Sequence, residues 1–406
     1  MKQEVNWKKL NREQRGLLIY QTLVITRTTT GWRVPSQRGK GSYTVTLKVD
    51  QLKCTCPDSE LTREKCKHIF AVEYFVKKTI DEEGNLTETK GVRVTYPQDW
   101  KSYDKVQTNE GLLFMKLLSD LCTHIEQPLY KFGRPSLSQQ DLLFCSTLKI
   151  YSTFSLRRFM SQAKIAKEMQ LINKVPCYAS VGHFLQKSTT TVILKRLIHL
   201  SSLPLREVEV DFAIDSSGFS TSRFARYFDY KHRNYKEYKQ WIKAHVMSGV
   251  KTNIITAVEI TKGSGADSPQ LPRLVDETSK EFKLGGVSCD KAYSGRENLQ
   301  KIHDAGGTPY IPFRKNATGK NRRSGFMWRK MYHYFMYKHE EFLKEYHKRS
   351  NVETCFHMIK TKFKDNLRST TETAQINELL TKILCHNILV VAHEIEELNI
   401  KGDFMK

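Results

Sequence analysis

Tyr346, Arg349, Glu353 and Lys360 bring an aromatic ring, a carboxylate and two cations to spacings that a helix gathers onto one stripe. At about 100° per residue the four project within a wedge of roughly 60°. Val352, Phe356, Ile359 and Phe363 fall on a neighbouring stripe, so the helix has an apolar face to bury and keeps the polar stripe at the edge of the core, facing a cleft. A carboxylate held between cations on a packed helix is chemistry suited to a phosphate. A single charged residue on such a helix is ordinarily part of a solvated face. Four together at this spacing argue for a site.

If Glu353 ligates a hard cation, further carboxylates must converge on it from other elements, because such ions take several oxygen ligands from a rigid scaffold. The sequence offers two. The β-branched and aromatic run from Glu207 to Asp215 reads as a strand whose last residue, before Ser216, Ser217 and Gly218, is an acid. The short apolar run from Gly285 to Asp290 ends the same way. Asp211, four residues before Asp215, would lie mid-strand on the same face by the period of two, and spacing alone does not exclude it.

The pattern Y-x2-R-x3-E-x6-K ending at Lys360, together with the segments Phe212–Ser216 and Asp290–Tyr293, resembles the signature of DDE transposases of prokaryotic insertion sequences, of the YREK type. That resemblance covers about residues 130 to 395. It implies an α/β fold, a ribonuclease H-like mixed sheet flanked by helices, in which Asp215, Asp290 and Glu353 hold two Mg2+ (or Mn2+) ions. Tyr346, Arg349 and Lys360 would fix the scissile phosphate and flanking strand, with Lys291 a further phosphate contact. Asp267 resembles an acidic residue common in these transposases and is expected to be structural. The implied activity is binding of transposon ends, phosphodiester cleavage, and joining of the 3′-hydroxyl ends to target DNA. Partners would be double-stranded DNA and a second copy in a homodimer or higher oligomer. A nuclease of the same fold without strand transfer, or a domesticated DNA-binding protein, is the alternative.

The elements that must position these acids are legible in outline. Trp241–Met247 and Asn253–Ile260 read as strands joined at Ser248 and Gly249, making a meander with the Asp215 strand, and a helix begins near Pro269. An insertion of about sixty residues before Glu353, basic over 311–340, is too long for an ordinary loop and must hold structure of its own. Upstream, helices are expected around Leu112–Leu118, after Ser138, over Ser155–Met169 and over Val181–Leu200. The last pair permits a helix-turn-helix-like DNA reader.

A second constellation lies near the start of the chain. Cys54, Cys56, Cys66 and His68 supply three thiolates and an imidazole, enough for a tetrahedral structural Zn2+ site. A strand pattern over residues 41–49 leads in and a helix over 69–75 leaves. This C-x-C-xn-C-x-H arrangement resembles a SWIM zinc finger, with Trp32–Ser36 suiting its first strand, and implies a small ββα zinc module. An acidic turn at 81–84 and a strand at 92–96 would close it. The remaining cysteines lack ligand spacing and suit a reducing compartment.

Three regions follow: a zinc module over 1–95, a helical DNA-binding region over 96–204, and the catalytic domain over 205–395. Composition agrees with a polyanionic partner. Lys plus Arg is 66 against 43 for Asp plus Glu, a formal charge of +23, and such a field draws phosphate chains. Residues 311–370 alone hold 15 basic against 5 acidic side chains. With no apolar run long enough to span a bilayer, no membrane role is indicated, and a cytoplasmic, nucleoid-associated protein is expected.

Overall fold

The computed structural model describes residues 10–37, 41–48, 51–62, 64–78, 99–129, 132–133, 136–221, 241–314, 317, 319 and 325–404. The expected acidic turn at 81–84 and strand at 92–96 lie outside them. In chain order the helices are α1 (Arg12–Thr22), α2 (Pro57–Thr62), α3 (Lys67–Lys78), α4 (Trp100–Thr123), α5 (Gln139–Tyr151), α6 (Leu156–Glu168), α7 (Tyr178–Leu185), α8 (Ser188–Ser202), α9 (Leu271–Ser279), α10 (Arg296–Asp304), α11 (Phe326–Tyr337), α12 (His339–Tyr346), α13 (Ser350–Phe363) and α14 (Glu372–Glu397). The strands are β1 (Thr26–Thr28), β2 (Gly31–Pro35), β3 (Ser42–Lys48), β4 (Gln51–Cys54), β5 (Phe212–Ser220), β6 (Trp241–Gly249), β7 (Ile255–Lys262), β8 (Gly286–Cys289) and β9 (Thr308–Tyr310). No helix among the described residues is long and apolar enough to cross a membrane.

The chain divides into two units, residues 1–92 with 312–346 and residues 93–311 with 347–406. In the first, β1 to β4 form an antiparallel meander in sequence order. Asn11 caps α1 through a reciprocal bond with Gln14, and Gly16 lets α1 approach α3 so closely that a Cβ there would come within 2.4 Å of the Phe70 Cβ. Trp32, Val34, Val45, Ile69 and Val72 form the core. The insertion belongs to this unit: Tyr337 of α11 packs edge-on against Trp32 with ring centroids 5.8 Å apart, and its hydroxyl donates to Glu73 at 3.3 Å. The module is therefore larger than the expected ββα finger, because its core is completed by helices from the far side of the sequence.

In the second unit the strand order is β7-β6-β5-β8-β9. β5, β6 and β7 are antiparallel neighbours, and β8 and β9 join β5 in parallel. Third, second, first, fourth, fifth is the ribonuclease H-like order. α4 to α8 and α14 pack with the sheet in one continuous core. The polar linchpin is Asn387, fully buried on α14. It accepts from the Ile255 N–H at 3.0 Å and donates to the carbonyls of Ile255 and Ile198 at 2.7 and 3.2 Å, tying α14 to β7 and α8. Asn387→Leu is expected to cost on the order of 3 kcal/mol or more in urea denaturation, since several buried backbone groups lose their partner together.

Three boundaries differ from the pattern read in the sequence. β5 starts at Phe212 and runs to Ser220, so Asp215 lies inside it. The serines that suggest a turn have partners in the sheet's surroundings, and Gly218 admits the Trp241 ring, which a Cβ would meet at 3.2 Å. β6 likewise runs through Gly249, and the turn falls later, at Asn253 with φ 63°. The helix expected over Val181–Leu200 is two, α7 and α8, broken at Gln186 and Lys187.

Candidate active site and metal centre

The acids meet where the parallel pairing of β5 and β8 stops. Ile214 is in register with Cys289, the last pair of the two strands, so Asp215 and Asp290 are the residues that follow that last pair on each chain segment. Asp290 leaves the sheet to cap a 3-10 turn, accepting from the Lys291 N–H at 2.7 Å. Glu353 arrives from α13, which buries Val352, Cys355, Phe356, Ile359 and Phe363 and packs along β5. The apolar stripe thus fixes the helix, and the polar stripe is left over the acids.

One guanidinium sits between two of the three carboxylates. Arg349 Nη1 lies 2.6 Å from Asp215 Oδ2 and its Nη2 lies 2.7 Å from Glu353 Oε1. Burial raises the Asp215 pKa above the usual carboxylate range; the Ser216 N–H and Arg349 pull it down, while Asp290 and Glu353 push it up. The site is therefore a region of negative potential relieved by a cation, which in this structure is the Arg349 side chain. Three carboxylates from separate elements are an all-oxygen donor set suited to Mg2+ or Mn2+. A divalent ion between Asp215 and Glu353 requires Arg349 to release at least one of them.

The other signature residues fall in different places. Lys360, two turns along α13 from Glu353, donates to Ser217 Oγ at 2.7 Å and lies 5.1 Å over the Phe219 ring. Burial lowers its pKa. The expected helix is interrupted before Glu353: Tyr346 closes α12 in the first unit, and His347–Arg349 form a 3-10 turn before α13 begins. The single stripe therefore holds for Glu353 and Lys360 alone, and Arg349 reaches the acids from the turn. Lys291 is exposed.

Asp211 is not mid-strand. It precedes β5, accepting from the Gly286 N–H at 2.8 Å and from Lys348 Nζ at 2.6 Å, and four residues of strand put it about 13 Å from Asp215. Asp267 accepts from Ser216 Oγ at 3.0 Å and Lys243 Nζ at 2.8 Å, with the buried His245 ring at 3.4 Å. Ser216 in turn donates its N–H to Asp215, so Asp267 braces the strand behind the acid. Lys243 and His245 were the part missed from sequence, although their i, i+2 spacing on a strand places them on one face.

In the first unit Cys54, Cys56, Cys66 and His68 are all buried, and their ligand atoms lie within 4.8 Å of one another. Cys54 and Cys56 flank the end of β4, while Cys66 and His68 begin α3. His68 Nδ1 faces Cys54 Sγ at 3.8 Å and Cys66 Sγ at 3.9 Å, near the roughly 3.6 Å separation of tetrahedral Zn–S and Zn–N bonds. The hydrogen bond between Cys54 and Cys66 lowers the pKa of Cys66 and raises that of Cys54, the two thiols sharing one proton. Among the described residues this is the one group of three or more such side chains converging so tightly.

Residues 207–388 match the family described as the transposase DDE domain, and residues 43–77 match the SWIM zinc finger. The first match contains all three acids and the second all four zinc-type ligands. Among solved structures, a piggyBac transposase synaptic complex with hairpin DNA, determined by cryo-electron microscopy, matches with 11% identity and a TM-score of 0.34, over 78% of this chain and 80% of that one. No curated protein matches the chain.

Proposed function

We propose that this chain, a DDE transposase with a SWIM zinc finger on the N-terminal side of its catalytic domain, binds the ends of a DNA element, cuts them and joins their 3′-hydroxyls to target DNA. The observation that carries this is that Arg349 bridges Asp215 and Glu353 beside Asp290, where the pairing of the central strands β5 and β8 of a ribonuclease H-like sheet stops. Asp215, Asp290 and Glu353 would hold Mg2+ or Mn2+, which supplies charge stabilisation and an activated oxygen nucleophile for in-line displacement at phosphorus. The chain's own residues do the positioning. Asp215 is fixed by the Ser216 N–H and by Asp267 behind it, and the helix holding Glu353 by its buried face. Arg349, once it releases a carboxylate, has a planar two-donor fork for the scissile phosphate. Lys360 holds a charge one step further along β5.

Two ends must be held at once, so at least two copies act together. End binding is assigned to the helical region, where α6 exposes Arg157, Arg158, Lys164 and Lys167 and the Arg157 guanidinium lies 5.1 Å over the Tyr178 ring at the start of α7. Duplexes carrying the repeats that flank the coding sequence, incubated with protein, Mg2+ and a plasmid, should yield covalent joint molecules. Cut ends without joints would leave a nuclease in place of a transposase.

Arg349 separates the roles. Arg349→Ala should lower cleavage at saturating protein roughly ten- to a hundredfold, the equivalent of one or two charge-assisted hydrogen bonds. Arg349→Lys should recover only part of this, because an ammonium cannot span the two partners the fork reaches. Equal cleavage by Arg349→Ala and wild type would remove Arg349 from the site.

A further inference from the structure

β5 continues past the acids to a second feature. Its last residue, Ser220, donates its N–H to the Asp365 carbonyl at 2.9 Å and accepts from the Leu367 N–H at 2.8 Å, so the strand is stitched to the chain that leaves α13. Beside this link is a small pocket lined by Lys149, Thr153, Lys364, Arg368, Glu378 and Lys382 among others. Four cations face one carboxylate, and that carboxylate is engaged: Glu378 accepts from the backbone N–H groups of Arg368 at 2.9 Å and Ser369 at 2.8 Å. Lys382 is engaged too, donating to the carbonyls of Lys364 and Asn366 at 3.0 and 2.8 Å. Arg368 donates to the Thr153 carbonyl, Lys382 also lies 4.0 Å from Glu378, and Asp365 is close enough to act on Lys382, so the wall is a fixed frame with an excess of cations.

Two residues of that wall are strained. Thr153 has φ 58° and Lys364 has φ 65°. A β-branched residue is an outlier there. Lys364, with ψ 156°, occupies a region essentially reserved for glycine. Glycine would relieve the strain at no loss of packing, since the Lys364 side chain is exposed. An exposed cation kept where the backbone favours glycine is a cost to the fold, and such costs persist where the side chain has a task.

We infer that this pocket binds a phosphate of the DNA strand that continues from the scissile bond, with Lys364 as its principal contact. The inference rests on the DNA-cleaving function proposed above. Along β5 the Ser217–Lys360 contact lies two residues and Ser220 five residues beyond Asp215, about 6.6 and 17 Å at a strand's rise. The cations thus form a track leading away from the acids, spanning about five nucleotides at 3.4 Å of duplex axis each.

The test uses the full-length, zinc-loaded chain and a fluorescently labelled DNA duplex. Thermal midpoint and DNA affinity across a salt series are measured for wild type, Lys364→Gly, Lys364→Ala and Lys364→Arg. Lys364→Gly should melt higher by roughly 2–4 °C and yet bind DNA more weakly, with a slope of log K against log salt shallower by about one. Lys364→Ala should lose the same affinity without the gain in melting, and Lys364→Arg should keep affinity and slope. Wild-type affinity and slope in Lys364→Gly would overturn the inference while leaving salt-dependent DNA binding by the wild type, and so the DNA reading, intact. If the wild type itself shows no salt-dependent DNA binding, both fall. If inorganic phosphate stabilises the wild type and not Lys364→Gly while DNA affinity is unchanged, the pocket serves a free anion and the strand assignment is wrong.

Discussion

Asp290→Asn is expected to reduce divalent-dependent DNA cleavage by roughly a thousandfold or more, because several kcal/mol of charge stabilisation disappear with one ligand and each 1.4 kcal/mol is a decade in rate. Affinity for the same duplex should stay within about threefold, since the phosphate-binding cations remain. Asp215→Asn and Glu353→Gln should behave alike in cleavage. They also take one partner from Arg349, which bonds those acids at 2.6 and 2.7 Å. Asp211→Asn is the control. Its carboxylate serves Gly286 and Lys348, so cleavage should survive within about tenfold, as for a group outside the metal shell. Wild-type cleavage in any of the three acid variants would take that residue out of the site.

Zinc removal is expected to have the largest structural effect. Zinc binding to small Cys/His sites is worth about 10–16 kcal/mol, far more than such a core supplies alone. Purified chain should carry one zinc, and chelation or Cys66→Ser should unfold β2 to β4 and α3. The effect should extend to α11 and α12, because Tyr337 shares the finger's core with Trp32. Hydrogen exchange checks this: protection should vanish over 31–78 and 326–346 and persist in β5 to β8. Protection of 326–346 that outlasts the zinc would show that the insertion folds without the finger.

Much of the site was legible because its chemistry is written in short spacings. Cys54, Cys56, Cys66 and His68 are separated by one or a few residues at each end, and local spacing suffices to bring them to one point. Asp290 was legible because a short apolar strand does end there. The place of Asp215 in the strand was read for a partly wrong reason. The Ser216-Ser217-Gly218 run looks like a turn, yet Ser216 bonds Asp267 and Ser217 bonds Lys360, and tertiary partners turn a local turn signal into strand. The same limit explains the signature helix. Helical periodicity placed Arg349 on the stripe of Glu353, whereas the chain enters α13 through a 3-10 turn and Arg349 reaches back to bridge two acids.

What the sequence hid was long-range. The insertion is legible as structured, but nothing in its own residues says that Tyr337 will pack on Trp32, 305 positions earlier in the chain. The basic pocket beside Ser220 draws on α5, the end of α13 and α14. Its strained Lys364 is invisible to any propensity argument, since lysine is an ordinary residue at the end of a helix.

The central proposal is that Asp215, Asp290 and Glu353 form one divalent-cation site beside Arg349, which bonds two of them. Mn2+ binding followed by electron paramagnetic resonance tests it without DNA, end sequences or target. Wild-type protein, its finger saturated with zinc, should bind Mn2+ at the acids, and Arg349→Ala should bind it more tightly, because no guanidinium competes for the carboxylates. The triple variant Asp215→Asn, Asp290→Asn, Glu353→Gln should lose that binding and with it all cleavage. Mn2+ bound equally by the wild type and the triple variant would contradict the account.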